Sequence, residues 1–258
     1  MVILSLNHVS KLFGGLTAVN SLSMQVKEGS IHALIGPNGS GKTTTTNMVE
    51  GVFPVSDGRI FYRDKEITGM PTFEIARLGI GRTFQNIKLY NTMTALENVM
   101  VGGHQLTHLS LARSLIAFRA FSAEERMLKE KAGEMLKYVG LYHLRNEIVK
   151  NLPYGNKKVL EVARAMMTDP DLLLLDEPAA GLNPSERAAF IAFLLRLNRE
   201  GKTLFLIEHN MDVVMNISQR ITVINFGAKI AEGTPAEIQH DPEVIRAYLG
   251  DRYKAVVK

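Results

Sequence analysis

The sequence predicts an α/β protein, a doubly wound parallel sheet interrupted by a helical insert. Three observations predict it. First, Gly36-Pro37-Asn38-Gly39-Ser40-Gly41-Lys42-Thr43 fills every position of G-x-x-x-x-G-K-[ST] between an apolar run, Ile31 to Ile35, and a helix-forming run from Thr43 onward. That strand, loop and helix context is what a phosphate-binding loop requires. Second, Asp171 to Leu175 and Thr203 to Ile207 are continuous apolar runs, as expected of parallel strands buried on both faces. Third, from Ala123 to Val139, Leu128, Ala132, Met135, Leu136 and Val139 recur at helical spacing with Glu and Lys opposite them, which gives an amphipathic helix.

Residues 1 to 85 read as short apolar strands, with turns expected at Glu28-Gly29-Ser30 and Ser56-Asp57-Gly58. In the loop, Gly36, Gly39 and Gly41 let the backbone curl so that successive amides face one anion, and Lys42 adds a point charge for the β and γ phosphates. The N–H groups of the following helix point back at the same anion. Thr43 is placed to put its hydroxyl on Mg²⁺. After Tyr154 the pattern alternates helix, strand, helix, strand. Helix starts are expected at Asn183-Pro184-Ser185-Glu186, Thr234-Pro235-Ala236-Glu237 and Asp241-Pro242-Glu243, each with a capping side chain before a proline at the first helical position.

The 258 residues, 46% of them apolar, suffice for one large domain or a core with a smaller insert. A net charge of +4 is too mild to imply nucleic-acid binding. The absence of cysteine excludes disulfides, thiolate metal sites and thiol nucleophiles, and fits a reducing cytoplasmic setting. Pure apolar runs such as Leu172 to Leu175 fall far short of the ~18 residues that span a bilayer. Met1 to Leu6 lacks a basic leader and is not read as a signal peptide.

A phosphate loop alone names a nucleotide binder, so the remaining chemistry must come from elsewhere in the chain. Leu172 to Leu175 ends in Asp176-Glu177, two adjacent carboxylates at the sheet edge where ligands of open α/β folds collect. One can hold a metal while its neighbour polarises an attacking water; the bland reading is a solvated acid pair. Leu204 to Ile207 leads into Glu208-His209, an imidazole at the end of another core strand, where an isolated histidine is more often structural.

With these residues in order, the chain resembles the ATP-binding cassette (ABC) ATPases from end to end. The set comprises the phosphate loop, Arg82-Thr83-Phe84-Gln85 as a glutamine loop, a signature segment at Leu152 to Asn156, the Asp176-Glu177 strand, Ala180-Gly181-Leu182-Asn183 as a D-loop, and His209. The resemblance implies a P-loop NTPase fold: a RecA-like core with an antiparallel β subdomain, residues 1–86 and 151–258, and an inserted helical subdomain, residues 87–150. It implies ATP and Mg²⁺ as ligands. Glu177 would be the catalytic base, His209 the γ-phosphate sensor, and Gln85 a contact to Mg²⁺ and the attacking water. Asp176 and Thr43 would hold the metal. Gly36, Pro37, Asn38, Gly39, Ser40, Gly41, Lys42, Thr43 and Thr44 would hold phosphate, and Phe13, with Val19 beside it, would stack on adenine. Gly155 of the signature would face the ATP of a second subunit.

The signature departs from L-S-G-G-Q, with Pro153, Tyr154 and Asn156 in place of Ser, Gly and Gln. Pro153 has neither hydroxyl nor N–H to give the phosphate. Proline suits the first turn of the following helix, expected from Lys157 to Met167, and the site is expected to work slowly. Arg82-Thr83-Phe84-Gln85, Leu96-Glu97-Asn98-Val99, Tyr154-Gly155, and the ending from Gly233-Thr234-Pro235 to Ala247-Tyr248-Leu249-Gly250 are similar to ATPases of branched-chain amino acid importers. The longer arm points to the longer of that system's two ATPases. This implies integral-membrane permease partners, a second ATPase subunit in a hetero- or homodimer, an indirect link to a solute-binding protein, no nucleic acid, and a peripheral place on the cytoplasmic face of the cell membrane. The acid-free stretch Gly102 to Phe121 suits a membrane surface or packing on its own subdomain. An importer of urea or another small solute shares these motifs. A lipopolysaccharide-type exporter, a soluble cassette and a small nucleotide kinase fit the arm, the single cassette and the motif set less well.

Overall fold

A computed structural model describes residues 1–106 and 118–249. Most of the acid-free stretch Gly102 to Phe121, and Gly250 of the expected ending, therefore lie outside the described residues. Two sheets organise the chain. The first is antiparallel, in the order β2-β1-β4-β5, from β1 (Val2–Phe13), β2 (Leu16–Lys27), β4 (Asp57–Tyr62) and β5 (Lys65–Glu66). The second runs β10-β9-β3-β8-β7-β6, from β3 (Ile31–Ile35), β6 (Ile80–Arg82), β7 (Leu172–Asp176), β8 (Thr203–Ile207), β9 (Arg220–Asn225) and β10 (Ala228–Gly233). All its neighbours pair parallel except the hairpin of β9 with β10.

The unbroken apolar runs have a simple cause. Alternate side chains of a strand point to opposite faces, and both faces of the second sheet are covered. Leu172 and Leu174 of β7 join the core shared with the antiparallel sheet, whereas Leu173 and Leu175 join the core under the C-terminal helices. Phe205 and Ile207 of β8 likewise face the first core, and Leu204 and Leu206 the second.

Helices α1 (Lys42–Val49) and α2 (Thr72–Arg77) belong to the first half of the chain, and α3 (Ala95–Gly102) and α4 (Phe118–Tyr138) follow. The second half carries α5 (Tyr154–Ala165), α6 (Pro184–Arg199), α7 (Met211–Ile217), α8 (Pro235–Gln239) and α9 (Pro242–Leu249). The three expected helix starts form as read. Asn183 accepts from Glu186 N at 2.9 Å, Thr234 from Glu237 N at 3.4 Å and Asp241 from Glu243 N at 2.8 Å. A third apolar cluster joins α3 and α4 to Leu152, Leu160, Ala163 and Met167, so α5 is packed against both the helical arm and the sheet.

Three local expectations give way to the structure. β1 and β2 are 12 residues each rather than short, and bulges interrupt the register of their pairing. Ser56-Asp57-Gly58 is no turn; it is the entry to β4, with Gly58 opposite a bulge at His8, where a Cβ on Gly58 would stand 2.4 Å from His8 O. The signature helix starts at Tyr154 rather than Lys157, so Pro153 is its N-cap residue and not part of its first turn.

Candidate nucleotide site

The phosphate loop leaves β3 and enters α1 under close backbone contact. β9 passes so near Gly36 that a Cβ there would lie 2.1 Å from Ile224 O. Gly41 has φ of +104°, and a Cβ on it would lie 2.4 Å from Ala18 O of β2. No side chain caps α1, so its first amides stay directed at the loop. Lys42 Nζ bridges the loop, donating to Gly36 O at 2.8 Å and Pro37 O at 2.9 Å. Burial lowers its pKa, while Glu177 and Asp176 act to raise it. Ser40 Oγ is buried with no hydrogen-bond partner among the described residues. A cradle of amides, one cation and an orphaned buried hydroxyl fits an anion of phosphate size.

Above the loop lies a cleft of about 620 Å³, lined by Asn38 to Thr44, by Phe13 and Phe226, and by Gln85 and Glu177. Its size suits a small organic ligand. Thr43 is exposed in it, its hydroxyl open to the cleft. Phe13, at the end of β1, is 42% exposed, with Phe53 at 5.3 Å edge-on and Lys11 Nζ 4.9 Å from its ring. Val19 is different. A bulge at Ala18, between the pairs Leu12 with Thr17 and Lys11 with Val19, turns the Val19 side chain inward. It is fully buried beneath Gly41, and Thr17 and Ala18 face the cleft in its place.

The sheet order brings the reactive groups together. β8, β7 and β6 are successive neighbours of β3, so their C-terminal ends stand side by side next to the loop. Glu177, just after β7, is flanked by residues following β8 and β6. Its Oε1 is 3.2 Å from His209 Nδ1, and its Oε2 accepts from Gln85 Nε2 at 3.0 Å. The backbone of Glu177 is held at φ of +45°, with its N–H donating to Ile207 O at 2.8 Å. Asp176 is buried at the strand end, which raises its pKa, and Arg82 beside it acts in the opposite sense. Gly155 does not line this cleft; it lies in the first turn of α5 against Glu186.

Several residues here escaped sequence reasoning. Lys158 of α5 is buried, its Nζ 3.4 Å from Gln85 O and 3.5 Å from Glu177 O. One turn on, Glu161 accepts from Lys88 N at 3.2 Å and Phe84 N at 3.4 Å. The signature helix thus grips the glutamine loop from both sides of Gln85. Glu208, 1% exposed, accepts from Ala179 N at 3.1 Å and His209 N at 3.2 Å, which fixes the backbone that carries the imidazole. Phe226, 86% exposed at φ of +46°, stands on a turn tied to the loop by Gly227 N to Ser40 O at 3.0 Å. Their place as charged residues on the helix just after the signature, two and five positions past Asn156, was the signal for Lys158 and Glu161.

The family model described as ABC transporter matches residues 19–180, and one described as branched-chain amino acid ATP-binding cassette transporter matches residues 228–254. The chain is 44% identical to the high-affinity branched-chain amino acid transport ATP-binding protein BraF of Pseudomonas aeruginosa, and 42% identical to the LivG protein of the same description from Escherichia coli K12. Each match covers 96% of this chain and 98% of the relative. Among solved structures, a nucleotide-free ATP-binding cassette from an ABC transporter superposes with a TM-score of 0.85 at 34% identity, covering 97% of this chain and 100% of that one. An ATP-binding cassette of an ABC transporter in its ADP conformation gives the same TM-score of 0.85 at 34% identity, covering 97% and 99%.

Proposed function

The chain belongs to the ABC transporter family of ATP-binding proteins, and from that premise we propose that it is the ATP-hydrolysing subunit of a membrane importer of branched-chain amino acids. The observation that carries the hydrolytic reading is the Glu177 carboxylate, held between Gln85 and His209 at the edge of a phosphate-binding cleft. The role of LivG and BraF in branched-chain amino acid transport supports the solute.

In this reading the loop amides and Lys42 bind the β and γ phosphates, and Phe13 stacks on the base. Glu177 takes the proton of the attacking water as general base, and Gln85 and His209 orient its two oxygens. The oxygen donors of Thr43, Asp176 and Gln85 suit a hard cation; Mg²⁺, when bound, would be held there and offset phosphate charge. Residues 1–86 and 151–258 form the catalytic core and residues 87–150 the helical subdomain. A second ATPase subunit completes the site through Gly155 and the amides opening α5, where Pro153 offers neither hydroxyl nor N–H. Losing that hydrogen bond costs about 1.5–3 kcal/mol and slows turnover. Permease subunits dock at the groove of about 250 Å³ beside Gln85, lined by Phe84, Gln105 and Arg164 among others. Among the described residues no helix is long and apolar enough to cross a membrane, and this reading places the chain peripherally on the cytoplasmic face.

The test is capture of the tagged chain from detergent-solubilised membranes together with uptake of labelled leucine, isoleucine and valine by cells lacking it. Two multi-span permeases, a second cassette and lost uptake of these solutes are expected. Soluble partners alone would overturn the transport reading, and a deficit confined to urea or another solute would overturn the substrate.

A further inference from the structure

Arg82 ends β6, three residues before Gln85, and its side chain is only 14% exposed. One Nη pairs with the Glu50 carboxylate and also lies 3.1 Å from Asn47 Oδ1, so it grips the C-terminal end of α1. The other stands 3.6 Å from Asp176 Oδ2. The guanidinium carbon is 4.8 Å from the centre of the Phe84 ring, which lines the groove beside Gln85. The cluster is mostly buried, with Glu50 and Arg82 at the floor of that groove: Glu50 is 6% and Asp176 4% exposed, and Glu50 Oε1, Arg82 Nε and Thr83 Oγ1 are buried without hydrogen-bond partners among the described residues. Two carboxylates and one guanidinium taken out of water are costly unless their geometry is fixed. Only a planar fork with two separate Nη groups reaches both acids together; a lysine ammonium is a single point.

We infer that Arg82 is a positioning residue for the nucleotide-bound cation, holding the Asp176 carboxylate in register with the helix that follows the phosphate loop. The inference rests on the reading of Asp176 as the cation's carboxylate. Groups that orient a metal-binding carboxylate matter nearly as much as the carboxylate itself, and their loss costs about 10- to 100-fold in metal affinity. Neither Arg82 nor the groups it holds at the far end of α1, Asn47 and Glu50, line the nucleotide cleft, so binding of nucleotide without metal should change little when Arg82 is replaced.

The experiment measures binding of a fluorescent ATP analogue to the full chain, first in EDTA and then against rising Mg²⁺, with thermal melting in parallel. Wild type is compared with Arg82→Met, Arg82→Lys and Asp176→Asn. Arg82→Met is expected to keep the EDTA affinity and to need about tenfold more Mg²⁺ for the metal-dependent gain, as Asp176→Asn does. If Asp176→Asn raises the Mg²⁺ requirement and Arg82→Met does not, the Arg82 inference falls while the Asp176 assignment stands. If Asp176→Asn itself keeps the wild-type Mg²⁺ requirement, the assignment falls and takes the inference with it. Should Arg82→Met not fold, Arg82→Lys carries the test: it retains the buried charge but not the fork, and a wild-type Mg²⁺ requirement in it overturns the inference.

Discussion

Replacing Glu177 by Gln tests the catalytic reading with the least disturbance. The side chains match in volume, and the residue keeps its φ of +45° and its N–H bond to Ile207 O. What changes is the charge and one acceptor. Glu177 Oε2 accepts from Gln85 Nε2 at 3.0 Å, and Oε1 lies 3.2 Å from His209 Nδ1. A glutamine keeps one oxygen, and a half-turn of the Gln85 amide restores the donor–acceptor match on the other side. At most one hydrogen bond is lost, about 0.5–1.5 kcal/mol, which for a chain of this size shifts melting by a few degrees, at roughly 2–4 °C per kcal/mol. Turnover should fall by a general-base factor of about 10²–10⁴. Phosphate release from the assembled transporter reads turnover, and equilibrium binding of a fluorescent ATP analogue shows that the site remains. A variant that binds ATP and releases phosphate at close to the wild-type rate would refute Glu177 as the base.

Three further outcomes follow from the geometry. Gly41→Ala forces a Cβ to within 2.4 Å of Ala18 O at φ of +104°, so ATP binding should be lost in a chain destabilised by about 1–3 kcal/mol; calorimetric binding and melting measure both. His32, buried in β3 with Nε2 2.8 Å from Thr222 Oγ1, has its pKa lowered to about 4, chiefly by burial. A histidine pKa depressed on folding gives stability that is complete above pH 6.5 and lost as pH falls toward 4, so His32→Gln should remove up to roughly 3 kcal/mol of acid sensitivity over that window in denaturant titrations. Asn183→Ala removes the cap of α6 and should cost about 1 kcal/mol in the same titration, without change in ATP affinity.

What could be read from the sequence is what short-range physics determines. The phosphate loop was legible because glycines, lysine and threonine at fixed spacing have few other uses between a strand and a helix. The cap at Asn183 was legible because donor and acceptor are three residues apart. The leucines of β7 were legible as a strand because both of its faces are covered. Bulges were not: His8 and Ala18 each shift a register by one residue, and neither is marked by a glycine or proline at the bulged position. The shift at Ala18 is why Val19 reads as a cleft residue and folds as a core one.

The geometry of the candidate site was legible only as a set of parts. In sequence the order is the loop, Gln85, Glu177, His209; across the sheet it is the loop after β3, His209 after β8, Glu177 after β7, and Gln85 after β6. Glu177 has the imidazole on one side and the amide on the other because β7 lies between β8 and β6, an order set by crossover connections that no local pattern encodes. Gln85 and Glu177 are 92 positions apart, and Arg82 and Glu50 are 32 apart. These pairings depend on the middle position of β7 in that row. A disturbance of β7 should therefore impair His209, Gln85 and Arg82 together, whereas truncating any one of them leaves the other two in contact with their partners.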